Sequence, residues 1–194
     1  MKEDTNILYQ FLQLFRDMPQ TDFDIISPYI KIRQAAMGEV LLNEGRTAKE
    51  LFFVTRGVLK IVSVNDKGND VIQFFIKENK FCTILYSFND EVISHESIVA
   101  ATDAEVFVFS KQRLNELYKK LPYFKELIEG ITRRALMDKI KTRNHLMGEE
   151  ATTRYLKFIS EQPDIVLRVP LGDVASYLGI TQQSLSRIRR NITF

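Results

Sequence analysis

The side chains best equipped to act on another molecule stand near the end of the chain, in Thr181-Gln-Gln-Ser-Leu-Ser-Arg-Ile-Arg-Arg190. Leu185, Ile188 and Ile192 recur at helical spacing and define a stripe to be buried, which leaves Gln182, Gln183, Ser186, Arg187 and Arg190 on the opposite side. Gln183, Arg187 and Arg190 are spaced i, i+4 and i+7 and so align along one face. A glutamine amide can pair bidentately with adenine and an arginine guanidinium with O6 and N7 of guanine, each good pair contributing roughly 1–3 kcal/mol of discrimination. The chemistry on offer is therefore hydrogen bonding to base edges and phosphates rather than bond making. Thr181 is the expected N-cap, its hydroxyl accepting from a backbone N–H two or three residues on.

Elsewhere the means for catalysis or metal binding are thin. Cys82 is the single cysteine, which excludes an internal disulfide, a CxxC pair and any cysteine-cluster iron–sulfur or zinc site. His95 and His145 are the two histidines, and none of the phosphate-loop, dinucleotide, zinc-protease or nucleophile-elbow patterns occurs. The expectation is a chain that is not an enzyme, with no metal site and no cofactor identified.

A recognition face of this kind must be held by a second helix at a sharp angle. That arrangement needs a small residue where the helices approach, a residue tolerant of positive φ in the turn, and apolar groups wedged between. Ala175, Gly179 and the set Val174, Leu178, Ile180, Leu185 and Ile188 supply all three, so Pro170–Arg190 reads as a helix-turn-helix. The apolar spacing and the basic outer face are independent signals; their agreement disfavours an αα-hairpin with a merely soluble surface.

Upstream of it, Phe124, Leu127, Ile128, Ile131, Ala135, Leu136 and Ile140 mark a long helix beginning at Pro122, preceded by a short one carrying Leu114 and Leu117. The stripe is long enough to meet both a sheet and an identical helix of a second subunit. Gly148-Glu149-Glu150 breaks it, Ala151–Ile159 resumes as a helix, Gln162-Pro163-Asp164 forms a turn, and Ile165–Val169 reads as a short strand. Between Ile30 and Phe109 the rhythm is different. Short β-branched and aromatic runs, such as Leu51–Val54, Val58–Val62, Val71–Ile76 and Val106–Phe109, alternate with turn groups such as Asn65–Asp70, which predicts an antiparallel sandwich or barrel. A lead-in helix precedes it over Thr5–Phe15. The resulting division is 1–110 for the sheet domain with its N-terminal helix, 111–148 for the long helix and hinge, and 149–194 for the helix-turn-helix.

The 194 residues, 45% hydrophobic and 27% charged, suit one core with a satellite. No apolar run has the length of a membrane span, and no signal-peptide pattern follows Met1-Lys-Glu-Asp4, so a cytoplasmic location is expected. The net charge of +2 hides a division. Residues 1–110 hold 11 basic and 16 acidic side chains, net −5, and residues 111–194 hold 16 and 9, net +7. A segregated positive half fits a polyanionic partner.

This order of parts resembles the Crp/Fnr family of the cyclic-AMP receptor protein and the fumarate–nitrate regulator. Gly38-x-x-Leu41-x-x-x-Gly45 and Leu51-Phe-Phe-Val54-x-x-Gly57-x-x-Lys60-Ile61 are similar to that family's glycine-punctuated β-roll, and Val174–Arg190 to its DNA-reading element. The resemblance implies an α+β fold with three parts: an N-terminal double-stranded β-helix (jelly roll) of cyclic-nucleotide-binding type, a long dimerisation helix and a C-terminal winged helix-turn-helix. It implies base contacts from Gln182, Gln183, Ser186 and Arg187 and a backbone-phosphate position at Thr181, with Arg190 read from its spacing as a further DNA-binding residue. The partners implied are double-stranded DNA, bound as an inverted repeat by a homodimer, together with a small-molecule effector of unknown identity. RNA polymerase is an optional further partner, and a membrane is not one.

The sequence departs from the family at its effector site. Members that bind a cyclic nucleotide carry Phe-x-Gly-Glu and, about ten residues later, Arg-Ser or Arg-Thr. Here the matching stretches are Phe81-Cys82-Thr83-Ile84 and Ser94-His95-Glu96-Ser97, and no arginine occurs between Arg56 and Arg113. A phosphate without a bidentate guanidinium loses its strongest contact, so ordinary cyclic-AMP binding is not expected. The alternative from another class is a small-ligand or cyclic-nucleotide module that signals through protein partners, with the C-terminal helices as a docking piece.

Overall fold

The computed structural model describes residues 5–192. Eight strands form two antiparallel four-stranded sheets. One sheet has the order β1 (Lys31–Ala35), β8 (Ala104–Ser110), β3 (Glu50–Arg56), β6 (Lys80–Cys82). The other has the order β2 (Val40–Leu42), β7 (Glu96–Ala100), β4 (Leu59–Val64), β5 (Asp70–Ile76). The expected jelly roll is the observed one. Strand alternation sorts its side chains: Phe52 and Val54 of β3 point between the sheets to meet Leu59, Ile61, Ile98 and Val106, while Leu51 and Phe53 point outward. Both faces are covered, which is why Leu51–Val54 is a continuous buried run.

Different helices cover the two outer faces. On the first sheet Leu51, Phe53, Phe81, Phe107 and Phe109 pack beneath α1 (Asn6–Gln13), α2 (Gln20–Ile26), α4 (Lys111–Lys120) and the first turns of the long α5 (Pro122–Met147), whose Phe124, Ile128 and Ile131 are buried there. The second sheet offers Val58, Val62, Ile72 and Phe75. Ile72 and Phe75 share a face although three apart, because β5 bulges where Ile61 and Val62 of β4 pair with Phe74 and Ile72. Onto this face sit α6 (Ala151–Glu161), α7 (Pro163–Arg168), α8 (Leu171–Tyr177) and α9 (Gln182–Asn191), with Phe75, Phe158 and Tyr177 in a three-ring cluster.

That seating is fixed by polar contacts as well. Lys60 donates to both carboxylate oxygens of Asp173 at 2.8 and 2.7 Å. The Ser176 hydroxyl accepts the Ile72 N–H at 3.0 Å and donates to the Asp70 carbonyl at 3.2 Å, so α8 covers the open edge of β5. Lys77 pairs with Asp164, and Arg168 with Glu78. Glu78 in turn accepts the Gly57 N–H at 2.7 Å. Gly57 has φ +89°, and a Cβ there would stand 2.3 Å from the Asp103 carbonyl oxygen, so only glycine fits that turn.

Two expectations are corrected. Ile165–Val169 is not a strand: Pro163–Arg168 is helical, with proline at its start, Asp164 in its first turn and Ile165 buried at its centre. The edge of β5 is already covered by α8. The wing implied by the resemblance is not seen among the described residues, where every element between Lys111 and Ile192 is a helix.

Candidate nucleic-acid interface

The helix-turn-helix follows from a few local choices. Val174, Ala175, Leu178 and Leu185 are almost wholly buried and seal the angle between α8 and α9. Gly179 takes φ +67°, the left-handed conformation that the turn requires, and its N–H and that of Ile180 donate to the carbonyls of Ser176 and Ala175, both at 3.0 Å. Thr181 then has extended backbone, and its hydroxyl accepts the Ser184 N–H at 3.1 Å, which starts α9.

From that start, Leu185 points inward with Ile188 and Ile192 half-buried beside it. Gln182, Gln183, Arg187 and Arg190 are exposed and Ser186 is half-buried, on the arc that the periodicity assigns them. Within that arc the side chains differ. Gln182 Oε1 lies toward Gly172 of α8, at the edge of the face. Arg190 Nε donates to the Ser186 carbonyl at 3.4 Å, which lays the guanidinium along the helix. Arg189, not singled out by the sequence reading, is exposed too and adds a third guanidinium at the rim. Among the described residues, Arg187, Arg189 and Arg190 form no ion pair with a carboxylate of the chain.

A second feature lies in the sheet domain. A cavity of about 160 Å³ opens between α5 and the mouth of the roll, lined by Ile61, Phe74, Phe81, Glu96, Leu136 and Lys139 among others. Phe81, Thr83 and Ile84, which stand where the family's phosphate cassette begins, form one wall. Neither the cassette arginine nor any other guanidinium lines it. Burial pushes the Glu96 carboxyl above its ordinary range and lowers the Lys139 amine below its own. Cys82, enclosed between the sheets, has its thiol pushed up to about 12 by burial, so it is a neutral packing group.

With the geometry described, its relatives can be placed. Residues 32–120 match the family model of the cyclic nucleotide-binding domain, which defines the class of the sheet domain. The chain as a whole has the architecture of the Crp/Fnr regulators. The c-di-GMP responsive global regulator CLP of Xanthomonas campestris is similar with a TM-score of 0.69 at 16% identity, over 89% of this chain and 90% of that one. FixK2 of Bradyrhizobium japonicum gives 0.69 at 16% identity, over 83% of each chain. The catabolite activator protein of Thermus thermophilus gives 0.56 at 18% identity, over 91% of this chain and 84% of that one. Likeness at these identities concerns the fold. No curated protein matches the sequence, and no helix among the described residues is long and apolar enough to cross a membrane.

Proposed function

We propose that the protein is a dimeric, sequence-specific DNA-binding transcription regulator whose base-reading element is α9. The observation that carries this is the threonine-capped helix with Gln183, Ser186, Arg187 and Arg190 on one outward arc, held by a glycine-turned partner helix on the net-positive half of the chain. Gln183 and Arg187 are the base readers in this assignment. Gln182 and Ser186 flank them, while Thr181 and Arg190 meet the phosphates.

Dimerisation falls to α5. Along it Leu127 is half-buried and, about three turns farther on, Met137 and Ile140 are exposed, apolar side chains that a second copy of the same helix would cover. A two-fold axis between such helices presents two copies of α9 to successive major grooves about 34–36 Å apart, so the operator is an inverted repeat.

Selection of bound duplexes from random DNA tests the reading, with the oligomeric state measured alongside. Enrichment of an inverted repeat by a dimer is the expected result. Equal affinity for every duplex across salt concentrations, or a strictly monomeric protein, would refute it and favour a module that signals through protein partners.

A further inference from the structure

The turn between α5 and α6 is closed by one lysine. Lys157 of α6 reaches back to the last turn of α5, its ammonium 3.1 Å from His145 Nε2, and it also pairs with Glu149 in the turn itself. An ammonium can only donate, so Nε2 is the acceptor and the imidazole is neutral, with its proton on Nδ1. The Glu149 N–H donates to the Leu146 carbonyl at 3.1 Å, which continues the winding of α5 and keeps Glu149, four positions on, about one turn from His145. The Lys157 hydrogen bond holds the Glu149 carboxyl below its ordinary range, with a smaller contribution from charge at His145. The other charged neighbours in sequence are Lys141, one turn back on α5, Glu150 in the turn, and Arg154 and Glu161 on either side of Lys157 along α6. Among the described residues, no charged side chain of the sheet domain pairs with His145, Glu149 or Lys157.

We infer that these three side chains form a proton-sensitive clasp: a proton on His145 removes the acceptor that ties Lys157 to α5 and turns Glu149 from Lys157 toward His145, so the link between α5 and α6 loosens in acid. Protonated Nε2 is a donor and can no longer accept. The 3.1 Å contact then stands between two cations. The imidazolium has a ready alternative, because the Glu149 carboxylate lies about one turn farther along and the carbonyl end of α5 favours a cation. Lys157 thus loses one of its two bonds and shares the other with a competing charge.

The change is confined to the turn. Histidine is the side chain whose charge ordinarily changes between about pH 5 and 8, a window in which ordinary carboxylates and lysines keep theirs. The pairs that seat the C-terminal module on its sheet, Lys60 with Asp173, Lys77 with Asp164 and Arg168 with Glu78, contain no histidine. Glu96 and Lys139, which burial shifts toward that window, line the cavity and are not members of the clasp. Leu146 keeps its place in the apolar cluster with Tyr155 and Phe158. The result is a local opening of the turn and of the start of α6, while α8 stays on the edge of β5. For a partly exposed pair, the opening equilibrium shifts by about two- to fivefold. None of this uses the DNA-binding reading.

Hydrogen–deuterium exchange of the full chain, expressed as protection factors at about pH 7.5 and about pH 5.5, tests this with the parent, His145→Gln, Lys157→Met and His95→Gln. The reporting amides are those of Glu149 and Arg154, which donate to the carbonyls of Leu146 and Glu150. In the parent they should lose about two- to fivefold of their protection in acid, while the amides of β5 and α8 keep theirs. His145→Gln retains a side-chain acceptor that takes no proton in this range, so its turn should be equally protected at both values. Lys157→Met should have the parent's acid level at both, and His95→Gln should follow the parent. Unchanged protection in β5 and α8 shows that each variant keeps its fold. A parent turn insensitive to acid, a response retained by His145→Gln or Lys157→Met, or a response abolished by His95→Gln would each overturn the inference. A chain that selects an inverted repeat but has an acid-insensitive turn fails here while the regulator reading stands. A turn that loosens through His145 in a chain that selects no duplex does the reverse.

Discussion

Replacing Lys60 by methionine and Asp173 by leucine, singly and together, measures how firmly the helix-turn-helix is held on its own sheet. The two side chains are only 19% and 17% exposed, and the ammonium reaches both carboxylate oxygens. Hydrogen bonds to charged groups contribute about 1.5–3 kcal/mol. Breaking a fully buried pair from one side costs about 3–5 kcal/mol, because the survivor is left uncompensated. This pair retains some water, so each single change is expected to cost about 2–3 kcal/mol. The double change places two apolar side chains against Val58 and Val62 and should fall within about 1 kcal/mol of the parent, giving a coupling of about 2 kcal/mol or more. Urea unfolding followed by far-ultraviolet circular dichroism reads these differences from the midpoints at unchanged slope. The chain has no tryptophan to serve as an alternative probe. Single variants within about 0.5 kcal/mol of the parent, with no coupling, would mean that the pair is solvated and that the module is not clamped there.

The DNA-reading assignment separates two arginines. Arg187→Ala should lose preference at one base pair per half-site, whereas Arg190→Ala should weaken binding to all sequences and reduce the salt slope by about 1 per subunit; binding to operator variants across salt concentrations checks both, and identical behaviour refutes the division of roles. Gly57→Ala should destabilise far more than Gly68→Ala. Both glycines have positive φ, +89° and +76°, but only a Cβ at Gly57 meets backbone, so the Gly68 variant should lose only about 1–2 kcal/mol of stability to backbone strain; equal melting temperatures would refute the clash. The hydrogen bonds from Arg168 hold the Glu78 carboxyl below its ordinary value of 4.5. Its stabilising contribution is therefore whole above that value and lost as pH falls through the depressed one. Glu78→Gln should flatten the fall in melting temperature on the acid side, and an unchanged slope would show that the pair contributes nothing.

What could be read from the sequence was what local spacing decides. The turn at Gly179, the cap at Thr181 and the inward Leu185 depend on neighbours within about ten positions, and the structure has each as expected. The roll was legible as a class because its alternating runs and glycine turns repeat, but β1 and β6 were not. Lys31-Ile-Arg-Gln-Ala35 is an edge strand with one buried residue, and Lys80–Cys82 is too short to show a period. The helix at Pro163–Arg168 was misread because Ile-Val-Leu has strand-like composition and too few residues to reveal its turn. Nothing local marks Ser176 as the cover of a strand edge 104 residues away, or Lys60 as the partner of Asp173. The missing cassette arginine was legible; Lys139 as a wall of the cavity was not, because helical spacing places it on α5 without saying what it faces.

The same long-range packing ties the sheet domain to the helix-turn-helix. The first turns of α5 are fixed in the core of the sheet domain by Phe124, Ile128 and Ile131. Its middle, at Ala135, Leu136 and Lys139, forms the wall of the cavity. Farther on, Arg143 donates to the Gln73 carbonyl at 3.4 Å and to its side-chain oxygen, within the bulge that brings Ile72 and Phe75 onto one face. Leu146 then enters the apolar cluster of the C-terminal module. A rigid helix gripped at both ends cannot shift at its middle without displacing one grip. The first grip is buried among aromatic rings, and the second joins the bulged strand, the rings of Phe75, Phe158 and Tyr177 and the ion pairs of Lys60, Lys77 and Arg168.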